Sequence, residues 1–142
     1  MRTQDPSAGD GPGGVREAVA GEPLGPVLDA AREAGWRTYA VELDGVRAKA
    51  ALMEAFARGL RLPSWFGGNW DALADCLTDL SWEAEAEAPG PAGRLLVVGS
   101  WTAYAAARAD EAEVLRDVLE SAAGFWRETG PPLAVLLAPE AV

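Results

Sequence analysis

The sequence predicts an α/β domain: a small three-stranded parallel sheet packed with about four helices. Three segments read as strands, WRTYAVELDG at 36–45, RLLVVGS at 94–100 and LAVLLA at 133–138. Stretches of helical periodicity fill the intervals between them. Strands that alternate with helices argue for parallel pairing, because a parallel return needs a long crossover. RLLVVGS is also apolar without a break, as strands covered on both faces are.

Residues 1–22 are rich in Gly, Pro, Ala and Asp and hold too little apolar surface to bury, so this segment is expected to be disordered. In Leu24–Gly35 the residues Val27, Leu28 and Ala31 share one helical face and Gly35 supplies a stop, which makes 23–35 a candidate extra helix. Residues 36–140 then form the domain proper. In its first strand Tyr39, Val41 and Leu43 alternate with Ala40 and Glu42, and Asp44-Gly45 signals a turn. Leu52, Met53, Phe56 and Leu60 follow at helical spacing, giving an amphipathic helix from about Ala48 to Arg58 with Gly59 near its end.

Pro63 does not continue that helix. Asn69 is a good N-cap, and Leu73, Leu77 and Leu80 carry a second helix from Trp70 to about Leu80. Trp82 stands near its exit, and EAEAEAPGPAG reads as a polar loop. After RLLVVGS, WTAYAAA fits a short helix. DEAEVLRDVLESAAGFWRETG is a long one, with Val114, Leu115, Val118, Leu119, Ala122 and Trp126 on one face. Gly130-Pro131-Pro132 ends it before LAVLLA. No internal repeat is present.

With 142 residues, about half of them apolar, the chain suits one domain with one core. Its formal net charge is −10 and it has no histidine. Such a surface repels nucleic acid and attracts a basic protein. Without histidine no Ser-His-Asp or Cys-His arrangement forms, and imidazole zinc sites are excluded. Cys76, the single cysteine, has no intramolecular disulfide partner and fits a reducing compartment. MRTQDPSAGDGPGG has no apolar signal-peptide region, and no apolar run is long enough for a membrane span. A cytoplasmic protein without cofactor, metal, nucleic acid or membrane partner is expected.

The chemistry concentrates in LPSWFGGNWDALADCLTDL, 62–80. Asp71 and Asp75 stand four apart and project from one helix face, while Leu73, Leu77 and Leu80 take the other. Asp71 also lies in the first turn, where the helix dipole favours an anion. This face reads either as an ordinary solvated one or as an interface, with Trp65, Phe66 and Trp70 covering the core or forming contacts. Exposed Trp beside charge is the composition of a binding hot spot, and two carboxylates can pair with Arg or Lys on a partner. As a catalytic pair they are poorly placed to flank a substrate, and no phosphate-binding glycine loop follows a strand.

This stretch resembles the barstar family of intracellular ribonuclease inhibitors, whose pattern is L-P-aromatic-aromatic-G-x-N-x-D-A-L-x-D-x-L. Leu62, Pro63, Trp65, Phe66, Gly67, Asn69, Asp71, Ala72, Leu73, Asp75 and Leu77 fit it without a gap. The resemblance runs from about Thr38 to Ala138 and implies a small α/β fold with a three-stranded parallel sheet. It implies no enzyme activity. Instead, the acidic helix and the aromatic loop before it would plug the basic active site of a guanyl-specific microbial ribonuclease, as a monomer or in a 1:1 complex. Asp75 matches the dominant anion in the phosphate pocket, Asp71 a second charge contact, and Trp65 an aromatic packed on a catalytic histidine. Phe66, Asn69, Trp70, Thr78 and Asp79 fall on neighbouring contact positions. The chain departs from the pattern at Ala74, at Asp79-Leu80, at Phe125 and in its longer loop Glu83, Glu85, Glu87. These departures point to a ribonuclease with a different rim, or to an interaction module with a non-ribonuclease basic partner.

Overall fold

The computed structural model describes residues 13–63, 66–80, 83 and 90–142. Its strands are β1 (Gly14–Glu17), β2 (Arg37–Glu42), β3 (Arg94–Gly99) and β4 (Leu133–Leu137). Its helices are α1 (Leu24–Glu33), α2 (Lys49–Leu60), α3 (Trp70–Thr78), α4 (Trp101–Ala107) and α5 (Ala109–Thr129). The sheet order is β1-β4-β3-β2 and every pairing is parallel.

Sequence alone predicts three strands and about four helices; the described residues form four strands and five helices. The added strand, GVRE, lies inside the segment 1–22 expected to be disordered, of which 1–12 are outside the described residues. Four residues are too few for alternation to show, and only Val15 packs on the core. The strand is specified by its partner: it runs along β4 from Gly14 opposite Ala134 to Glu17 opposite Leu137. The fifth helix is α1, which falls at the candidate extra helix expected over 23–35, while the short and long helices expected after β3 are α4 and α5, parted at Arg108.

β3 is buried at all six positions, so it is covered on both faces. On one face Tyr39, Val41, Leu96, Val98, Leu133, Val135 and Leu137 meet Leu52, Phe56, Leu73, Leu77, Tyr104, Leu115 and Leu119 in the main core. Leu95, Val97, Leu136 and Ala138 point the other way and form a second cluster with Leu24, Val27, Leu28 and Ala31 of α1. Thus α1 lies over the second face of the sheet, and residues 13–35 contribute both a strand and this cover.

Two helices differ from the periodicity in detail. α2 continues through Gly59, where a Cβ would come within 2.5 Å of the Ala40 carbonyl oxygen and 2.6 Å of Val41 Cγ2. The glycine thus lets α2 press against β2, and Arg61, in the left-handed region at φ 56°, stops the helix. On α5 the buried line is Ala112, Leu115, Leu119, Ala122 and Ala123; Val114 sits off it and is exposed. No helix among the described residues is long and apolar enough to cross a membrane.

Candidate partner-binding face

α3 begins where Asn69, in extended conformation, accepts the Ala72 N–H on its side-chain oxygen at 2.8 Å. The backbone before it is set by Gly68, whose φ of +71° suits glycine. Leu73, Cys76 and Leu77 are buried, so the opposite side must face water. Asp71, Asp75 and Asp79 are all exposed there. The spacing 71, 75, 79 forms a stripe of carboxylates along α3 and its C-cap, since Asp79 is the cap residue and its N–H donates to the Asp75 carbonyl at 2.9 Å.

The remaining site residues divide between the stripe and the core. Phe66 and Trp70 are half-buried and pack against the main core, and Lys49 Nζ stands 6.0 Å from the Trp70 ring centroid. Asn69 is exposed, but its oxygen is committed to the cap. The Thr78 hydroxyl donates to the Ala74 carbonyl at 2.9 Å, so its proton is engaged within the helix. Trp65 lies outside the described residues, as do Glu85 and Glu87. Cys76 is buried behind the stripe; burial pushes its thiol up, and the charges of Asp75 and Asp79 add to this. Buried and held protonated, it is a packing residue.

At its far end α3 is gripped by α5. The Trp126 indole N–H donates to the Leu77 carbonyl at 2.7 Å, satisfying one of the carbonyls that a helix C-terminus leaves open. Arg94 lies over the same indole, 5.6 Å from the ring centroid.

Arg94 leads to the residue that sequence reasoning missed. Glu83 opens the segment that the sequence marks as a polar loop, yet its side chain is 2% exposed. Its carboxylate accepts Arg37 Nη1 at 2.6 Å, Arg94 Nε at 2.9 Å, Arg94 Nη2 at 2.8 Å and the Tyr39 hydroxyl. Burial alone would raise this carboxyl, but the hydrogen bonds from Arg94 and Tyr39 and the charges of both arginines hold it below the ordinary value. The same burial, with Glu83 alongside, pushes the Tyr39 phenol above its ordinary range. A signal was present: Arg37 and Arg94 open successive strands and are register partners. Two neighbouring cations entering a sheet require an anion between them.

Chemically, the outer face offers carboxylates, and the chain has no histidine to set beside them. Among the described residues no three metal-ligating side chains gather at one point. Such a stripe suits guanidinium or ammonium groups, which carboxylates bind by charge-assisted hydrogen bonds. A search of curated proteins finds no match to the chain. The family model described as Barstar (barnase inhibitor) matches residues 36–138, which spans most of the chain and includes β2 through β4 and the whole of α3. By its sequence and its α/β architecture, the chain belongs to the barstar family.

Proposed function

We propose that this protein is an intracellular inhibitor of a basic, guanyl-specific microbial ribonuclease, and that it blocks the active site with α3 and the aromatic loop before it. The observation that carries this reading is the exposed pair Asp71 and Asp75, set side by side on a helix whose other side is buried. A ribonuclease site is basic because it must hold RNA phosphate, so fixed carboxylates can take the place of phosphate there. The net charge of −10 would speed the encounter with such a partner. In this reading Asp75 enters the phosphate pocket, Asp71 and Asp79 pair with flanking cations, and Trp65, Phe66 and Trp70 provide apolar contact. The complex is 1:1 and cytoplasmic.

Titration against a small panel of microbial ribonucleases, with RNA cleavage as readout, tests this. Stoichiometric loss of cleavage is expected. If Asp75→Ala and Trp65→Ala both inhibit as well as the wild type, the plugging mechanism is wrong. A second reading, a module for another basic protein, draws support from Phe125: it is 43% exposed on α5, where the family resemblance places a glutamate. Absence of inhibition across the panel, with a different basic protein recovered at 1:1, would favour that reading.

A further inference from the structure

We propose that Glu83 is a positioning residue for the carboxylate stripe of α3, acting through Arg94 and Trp126. The links are continuous: four hydrogen bonds tie Glu83 to Arg37, Tyr39 and Arg94. Arg94 then lies over the Trp126 indole within cation-π range, and the indole N–H holds the Leu77 carbonyl in the last turn of α3. Asp75 and Asp79 flank that turn on its outer side. Arg94 is itself pinned: it is 8% exposed, and two of its three guanidinium nitrogens bind Glu83. Among the described residues its Nη1 has no partner, so Glu83 is the group that fixes this guanidinium in place. An unpaired Arg94 in this position would be a buried charge without compensation, and it would turn away from the indole toward water. The acid that matters for the geometry of the docking face is then one that never reaches the surface.

The inference rests on α3 being the docking face, and its test has an arm that needs no partner. The full-length protein and its Glu83→Gln variant are compared by amide hydrogen exchange and by the Trp126 indole N–H resonance. With far-UV circular dichroism unchanged, the indole resonance should move. The Asp79 amide, which donates to Asp75, should exchange about tenfold faster while Val97 and Leu136 in the sheet keep their rates. Glu83→Asp keeps the charge but shortens the reach to Arg94 and should move the same resonance and loosen the same turn to a smaller degree, so the test survives if Glu83→Gln fails to fold. An unmoved indole with unchanged α3 exchange, or a uniform acceleration of all amides, overturns the inference, because Glu83 would then serve the fold only in general.

The second arm uses a ribonuclease that the wild type inhibits. Dissociation should quicken about tenfold in Glu83→Gln with association nearly unchanged, since the outward charges remain. Loosened exchange with unchanged dissociation also overturns the positioning role. Wild-type protein that binds no ribonuclease would defeat the proposed function, while the exchange arm still decides whether Glu83 orders α3.

Discussion

The side-chain oxygen of Asn69 accepts the backbone N–H of Ala72 at 2.8 Å, one turn into the helix that carries Asp71 and Asp75. Asn69→Ala removes this cap and should cost about 1 kcal/mol in urea unfolding. Asn69→Asp keeps an acceptor and adds a dipole-favoured anion, so its stability should stay within a few tenths of a kcal/mol of the wild type. Equal losses in both variants would mean that Asn69 matters for something other than the cap.

The carboxylate stripe should behave as steering charge and anchor together. Asp75→Ala is expected to weaken ribonuclease binding by about 2–5 kcal/mol, chiefly through faster dissociation. The wild-type association rate should fall steeply between low and physiological salt. Stopped-flow association and dissociation rates at several ionic strengths check both.

Stability should be lost at both ends of the pH scale, for opposite reasons. The Glu83 carboxyl is lowered from its ordinary 4.5 in the folded protein. Its contribution is therefore complete above that value and drains as pH falls through the lower folded value. The Tyr39 phenol is raised from its ordinary 10.0, so its contribution is complete below 10.0 and drains as pH rises beyond it. Urea midpoints measured across pH should show a plateau bounded by these two values. Glu83→Gln should flatten the acid limb, and an unchanged limb would assign acid sensitivity elsewhere.

Gly59 offers a test of how closely α2 sits on β2. An added methyl would meet the Ala40 carbonyl and the Val41 side chain well inside contact distance. Gly59→Ala should therefore destabilise by about 2–3 kcal/mol, despite the better helix propensity of alanine. A stabilised variant would show that the helix can lift away from the strand without penalty.

Removing residues 1–35 deletes β1 and α1 but leaves the family-matched region complete. Leu95, Val97 and Leu136 would then face water, at about 1.5–3 kcal/mol for each side chain fully exposed. The shortened chain should unfold at lower urea and bind a hydrophobic dye that the full protein ignores. Inhibition should persist while it stays folded, because α3 packs against the opposite face of the sheet.

Much of this architecture was legible because its signals are local. Alternation in Tyr39–Leu43, the unbroken run Leu95–Val98 and the leucine spacing 73, 77 each report on burial within a few residues. The cap at Asn69 and the outward set of Asp71 and Asp75 follow from the same helix geometry. What was hidden depends on distant partners. GVRE is a strand only because β4 lies beside it, and Glu83 is buried only because Arg37 and Arg94 arrive from β2 and β3. Gly59 reads as a helix end until β2 is seen beneath it. Charge in a loop resembles a solvated linker unless its counter-ions are sought across the whole chain.

A nine-residue helix on its own is too short to persist in water. Here Asn69 closes one end of α3, Trp126 grips the other, and Leu73 and Leu77 root it in the core. The rest of the molecule is in effect a mount that holds an anion array in shape before anything docks. Preorganisation of this kind would spare the proposed complex the entropy of ordering a flexible acidic segment. A free peptide of the same sequence would carry the same charges and yet compete poorly.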